Sequence, residues 1–139
     1  MLTTSDIIQI MKKRGDFGGV YAINRLPIPL MPKPRGIIIN MDKSWGLGTH
    51  WVSVYLPELG PAFYFDPFGG YPLDGIITFM ERNSKFMWKH SEKKMQGNLS
   101  TLCGVYCIKF LKSCPNYNKF FEKFRNCSSK NDKKIISMR

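Results

Sequence analysis

The stretch HWVSVYLPELGPAFYFD, residues 50–66, decides the fold. From His50 to Leu56 its β-branched and aromatic residues read as a strand, Pro57 to Pro61 carry turn signals, and AFYFD reads as a second strand ending in Asp66. Two adjacent antiparallel strands then carry a histidine and a carboxylate, and suitable pairing brings their side chains together. The small-residue run GLG ahead of His50 makes a tight approach to the first strand. A histidine whose Nδ1–H donates to a carboxylate keeps Nε2 available to accept a proton. Taken singly, His50 fits a hydrogen-bonded sheet histidine equally well, and Asp66 an ordinary Asp-Pro turn.

Further along, QGNLSTLCGVYCIKFLK spans residues 96–112. Turn and capping residues run from Gly97 to Leu102, and Val105, Ile108 and Leu111 then repeat at helical spacing. Cys103 therefore falls in the first turn of a helix, where unpaired amides and the positive end of the dipole favour a thiolate. Gly104 leaves room for a substrate backbone to pass close by. Gln96, seven residues before Cys103, could donate its side-chain amide to an oxyanion alongside the Cys103 N–H, although an isolated glutamine equally fits a solvated surface. Cys107, one turn further on, reads as core. A thiol attacks a carbonyl well only as thiolate, which calls for an imidazole, a carboxylate to orient it and donors for the oxyanion. His50, Asp66, Gln96 and Cys103 supply one candidate for each role, the pattern of a cysteine-nucleophile hydrolase.

The order His, Asp, Gln, Cys, with G-x-H-W, F-D-P-F-G, Q-G-x-x-S-x-x-C-G-x-Y-C and the N-terminal FGGVYAINRLP, resembles the adenovirus maturation proteinase (adenain) family over roughly residues 5 to 112. More distantly it resembles the proteases that remove ubiquitin-like modifiers. The resemblance implies His50 as general base, Asp66 as its orienter, Gln96 with the Cys103 amide as oxyanion hole, and Cys103 as nucleophile. It also implies that Trp51 shields the imidazole beside the substrate, while the sequence alone equally allows a core aromatic on the strand face opposite His50. The implied activity is a cysteine endopeptidase that cleaves viral precursor (capsid or core) proteins at Gly-containing sites during virion maturation. Ubiquitin-like-modifier deconjugation is the alternative.

Three departures shape these expectations. The acid is Asp66 where the adenovirus enzymes have Glu, so the strands must approach more closely. The stretch from Asp66 to Gln96 contains no cysteine, so the disulfide-tethered activating peptide of the adenovirus enzymes lacks its anchor here. The chain ends soon after the nucleophile helix, as expected of a compact virophage or mobile-element member. No cofactor is expected beyond a DNA or non-covalent peptide activator.

The rest of the sequence points to a small mixed or antiparallel sheet with flanking helices, an α+β class with the nucleophile at a helix N-terminus. With 139 residues, 43% of them hydrophobic, one protease domain over residues 1–139 is expected, as a monomer. No apolar run matches a membrane span, and the start lacks the basic flank of a signal peptide; the expected location is virion and host cytoplasm or nucleus, without secretion. The cysteines are then expected as thiols. Thr4 to Asp6 look like caps of an amphipathic first helix, Leu26 to Pro34 like an extended Pro-rich connector, and RGIIINM like a buried strand. LDGIITFMERN reads as a helix, KFMWKHSEKKM as strand or extended chain, and Tyr117 to Arg125 as an amphipathic helix. Residues 128–139 read as a mobile basic tail.

The net charge of +11 suits polyanions, with clusters at Lys12 to Arg14, Lys89 to Lys94, Lys109 to Arg125 and Lys130 to Lys134, and predicts non-specific DNA binding. A basic structural nucleic-acid-binding protein is the reading of another class, and leaves the four catalytic candidates unexplained. A zinc module from Cys103, Cys107, Cys114, Cys127 and a histidine lacks the paired C-x₂-C knuckles of structural zinc sites.

Overall fold

Alternation along three adjacent strands builds the molecule. The computed structural model describes residues 2–42, 50–97, 101–125 and 129–138; the GLG approach to His50, the middle of the turn before Cys103, and Cys127 lie outside the described residues. The order is α1 (Thr4–Met11), β1 (Phe17–Ala22), β2 (Arg35–Asn40), β3 (Trp51–Leu56), β4 (Phe63–Phe65), α2 (Asp74–Asn83), β5 (Lys89–His90), α3 (Cys103–Ser113), α4 (Tyr117–Glu122) and α5 (Ser129–Ser137). The strands form one mixed sheet in the order β1-β2-β3-β4-β5. β2, β3 and β4 pair antiparallel, whereas β1 and β5 join the edges in parallel. The α+β class expected from the sequence is what the structure has.

Because successive strand residues point to opposite faces, Ile38, Trp51, Tyr55, Phe63 and Phe65 pack toward α1, α3, α4 and α5. Ile37, Ile39, Val52, Val54 and Tyr64 pack toward Ile76, Phe79 and Met80 of α2. Helices thus cover both faces of the sheet. The helix α3, which begins at Cys103, lies close against it: a Cβ on Gly36 of β2 would stand 2.8 Å from Leu111 Cδ2. Arg14 fastens the far end of α3, donating to the carbonyls of Lys112 at 3.2 Å and Cys114 at 2.9 Å while paired with Asp16.

Several expectations shift. The first helix is capped by Thr3 rather than from Thr4, through a reciprocal box with Asp6. The Gly-rich segment FGGVYA, to which the sequence assigned no element, is a strand paired in parallel with β2. In KFMWKHSEKKM only Lys89 and His90 pair as strand, and the helix from Tyr117 ends at Glu122 rather than Arg125. The expected mobile tail is instead helical: Ser129–Ser137 form α5, with Asn131 and Ile135 buried. One apolar anchor in a polar, basic stretch is a weak sequence signal, but Ile135 is fully enclosed by the core.

Candidate active site

Antiparallel pairing brings the start of β3 and the end of β4 to the same end of the sheet. The register matches Ser53 with Phe65 and Tyr55 with Phe63; continued past the strand ends, it sets His50 opposite Phe68 and one diagonal step from Asp66. His50 Nε2 lies 3.1 Å from Asp66 Oδ1. The same oxygen accepts the Phe68 N–H at 2.8 Å, closing an Asx turn in which the Asp-Pro-Phe-Gly sequence orients its own carboxylate. The other oxygen is confined by Gly70, where a Cβ would stand 2.6 Å from Asp66 Oδ2.

This corrects the expected orientation of the imidazole, since Nε2 and not Nδ1 faces the carboxylate. The acid, pinned in its own turn, meets the outer nitrogen. That leaves Nδ1, buried and with no oxygen or nitrogen partner, as the ring nitrogen for the thiol. Burial, the largest single influence, disfavours a charged ring. Hydrogen bonding to Asp66 and to Cys103, with their charges, outweighs it and raises the His50 pKa from 6.5 to about 9. Histidine, acid and cysteine thus form one interacting set.

Cys103 is the first residue of α3 and is almost fully buried. Leu102 precedes it at the N-cap, with a side chain that cannot compete for the first-turn amides. Gln96 is also buried. Its backbone N–H donates to the Pro67 carbonyl at 3.0 Å, and the Met95 N–H donates to the same oxygen at 2.9 Å, so the Gln96 segment is bound to the turn that holds Asp66.

Trp51 and Gly104 are placed differently from the expectation of substrate contact. Trp51 is 1% exposed and belongs to the core beside α3. A Cβ on Gly104 would meet Trp51 Cδ1 and Leu2 Cβ, each at 3.4 Å, so the space at this glycine is filled by packing rather than left for a peptide. The aromatic ring packed on the imidazole is Phe68, with centroids 5.2 Å apart. Sequence reasoning quoted Phe68 within F-D-P-F-G but gave it no role; the i+2 position after the acid, opposite His50 in the extended register, is the signal that finds it.

The remaining described cysteines are core thiols. Cys107 is fully buried, donates to the Trp51 carbonyl at 3.5 Å, and has its pKa pushed well up by burial; burial also pushes up Cys114. Among the described residues no group of three His, Cys, Asp or Glu could hold a metal ion, and no helix is long and apolar enough to cross a membrane. Some of the basic residues are spent on helix ends: Lys93 donates to the carbonyls of Phe121 and Phe124, Lys109 to that of Met138, and Lys134 to that of Lys123. Lys112, Lys119, Lys123, Arg125, Lys130 and Lys133 are exposed.

No protein-family model matches the chain. In sequence it is similar to the "SUMO-1 cysteine protease" of African swine fever virus, 28% identical over 89 residues that cover 56% of this chain and 33% of the relative. A second strain's protein, named simply a cysteine protease, matches to the same extent. The chain thus spans about a third of the length of these relatives. In structure it resembles the crystal structure of the African swine fever virus protease, with a TM-score of 0.68 at 18% identity over 97% of this chain and 64% of that one. The selenomethionine form of that protease gives 0.56 at 22% identity over 73% of this chain and 40% of that one. The chain is therefore related in sequence to viral cysteine proteases and shares the fold of one.

Proposed function

We propose that this protein is a cysteine endopeptidase that matures viral precursor proteins at Gly-containing sites, a compact relative of the adenain type. The observation that carries the reading is the coupling of His50 to both Asp66 and Cys103 at a helix start. In the proposed cycle His50 takes the thiol proton through Nδ1, and the Cys103 thiolate attacks the scissile carbonyl. The oxyanion is met by the Cys103 N–H and the Gln96 side-chain amide. As the tetrahedral intermediate collapses, His50 returns the proton to the departing amine and a thioester remains. Water, deprotonated by His50, then attacks the thioester, releasing the carboxylic acid and restoring the thiol. Asp66 stabilises the imidazolium throughout. A ring that keeps its proton to about pH 9 is suited to supplying the leaving amine at neutral pH.

Removal of a ubiquitin-like modifier is the second reading, favoured by the name of the sequence relative, a SUMO-1 protease. Both readings use the same chemistry on a Gly-bearing backbone. Incubating the purified chain with capsid or core precursors and with ubiquitin-like fusions, and mapping the cuts by mass, separates them. Cleavage confined to modifier junctions would sink the maturation reading, and cleavage of neither by wild type beyond a Cys103→Ala control would sink both. The basic exposed groove of Lys123, Arg125, Lys130 and Lys134 supports non-specific DNA as an activator or guide, with virion and host cell cytoplasm or nucleus as the place of action and no tethered peptide.

A further inference from the structure

The segment leading into Gln96 is held from the C-terminal side by three separate attachments. Lys93 Nζ reaches the carbonyls of Phe121 and Phe124 at the end of α4. The Met95 carbonyl accepts Asn131 Nδ2–H at 3.1 Å. The Gly97 N–H donates to Asp132 Oδ1 at 3.2 Å, and the same oxygen accepts Tyr106 Oη–H at 2.7 Å. Tyr106 is fully buried and stands three residues beyond Cys103 on the nucleophile helix. One carboxylate oxygen of α5 therefore ties the helix that bears Cys103 to the backbone that bears Gln96. The fit is close, since a Cβ on Gly97 would lie 2.6 Å from Asp132 Oδ2.

We propose that Asp132 is a positioning residue for the oxyanion hole, acting with Tyr106 and Asn131 to set the spacing between the Gln96 amide and Cys103. The inference rests on the reading of Gln96 as an oxyanion donor. An oxyanion donor is effective only when fixed in advance, because a donor that must be ordered during the reaction loses most of its advantage. The Pro67 carbonyl holds the Gln96 segment from one side, and Asp132 with Asn131 holds it from the other. A helix in the C-terminal part of the sequence thereby holds the Gln96 segment, while the Asp66 carboxylate is oriented by the Phe68 N–H of its own turn.

That division supplies the test. Asp132→Ala, Asp132→Asn, Tyr106→Phe and Gln96→Ala are compared with wild type in two reactions: turnover of a fluorogenic Gly-Gly peptide, and alkylation of Cys103 by iodoacetamide followed by mass. Alkylation is a displacement at carbon that develops no oxyanion, so it reads the nucleophile and His50 alone. Asp132→Ala is expected to lower kcat by roughly 10- to 100-fold with KM little changed, while alkylation keeps its wild-type rate. Asp132→Asn retains an acceptor oxygen and recovers most of the loss. In the Gln96→Ala background Asp132→Ala adds little, since both act through one group. Wild-type kcat in Asp132→Ala, or kcat and alkylation falling together, overturns the proposal. Should the alanine variant fail to fold, Tyr106→Phe decides by the same two criteria. A Gln96→Ala protein that turns over normally instead overturns the oxyanion reading itself, whereas an impaired Gln96→Ala beside an unaffected Asp132→Ala overturns only this inference.

Discussion

His50 meets Asp66 through its outer ring nitrogen, and the oxygen it meets is also held by the Phe68 N–H. The turn that follows the acid and the imidazole thus share one carboxylate oxygen, so the direction of the acid and that of the ring are set together. The inner nitrogen is buried without an oxygen or nitrogen partner, and the proposed cycle gives it to the thiol. Removing the charge of Asp66, crowding its oxygen or deleting the thiol should therefore give three separable failures.

Deleting the thiol is the complete failure. Cys103→Ala should abolish peptide turnover and leave thermal stability near wild type, whereas Cys107→Ala should keep most activity. Cys107 is enclosed, with burial pushing its thiol up and its hydrogen going to the Trp51 carbonyl. Truncating it leaves a small cavity and costs stability of about 1–2 kcal/mol. Turnover and melting curves of the two variants check this, and the opposite ranking would reassign the nucleophile.

Asp66→Asn should lower turnover by roughly 100-fold or more without abolishing it, because the thiol and oxyanion donors stay. It should also move a titration. In the wild type the folded-state His50 pKa is raised from 6.5 to about 9, so the imidazolium adds stability that is fully present below pH 6.5 and lost as pH rises through about 9. The alkaline limb of kcat/KM should fall near pH 9 in the wild type and move down toward pH 6.5 in Asp66→Asn. A pH–rate profile with an unmoved limb would detach that limb from His50.

Gly70→Ala should mimic a misplaced acid. The new methyl carbon would stand 2.6 Å from Asp66 Oδ2, so the carboxylate must move and its contact with His50 must loosen. The expected loss is about 10- to 100-fold in kcat, with a smaller effect on alkylation of Cys103 than on turnover. Equal rates for Gly70→Ala and wild type would show that the turn absorbs the methyl.

The exposed basic side chains of α3 to α5 should bind duplex DNA without sequence preference, with affinity falling steeply as salt rises. Replacing Lys123, Arg125 and Lys130 together by Gln should weaken binding and flatten the salt slope by about 2 to 3. Fluorescence anisotropy at several salt concentrations measures both. Peptide turnover with and without DNA then separates binding from activation.

Activity should need a reducing agent and no disulfide-linked peptide, since the segment between Asp66 and Gln96 has no cysteine. Intact mass of active enzyme from its native particle, taken before and after reduction, checks this; an adduct lost on reduction would contradict it.

The strand pair and the Cys103 helix were legible because each carries its own local pattern: β-branched and aromatic runs in WVSVYL and AFYF bounded by turn residues, and helical spacing after Cys103. What lay beyond the sequence depended on pairing between distant parts. The ring nitrogen that faces Asp66 follows from the diagonal offset of β3 and β4, which no local pattern fixes. Gly104 looked like room for substrate, yet Leu2 from the other end of the chain fills that space. α5 read as a tail because a single isoleucine anchors it, while its polar residues find partners 36 and 35 positions earlier, at Met95 and Gly97. The Gly-rich β1 gave no strand signal of its own and is paired in parallel with β2.

The Pro67 carbonyl, which accepts both Met95 and Gln96 N–H groups, makes the chain between those points a closed excursion. It leaves the site at Pro67, runs through α2 and β5, and returns to the same oxygen. An excursion whose ends are stapled together can lengthen at its exposed turns at a cost that grows only slowly with length. Homologues of different size can therefore elaborate that circuit with new surface while the acid and the glutamine at its mouth keep their distance.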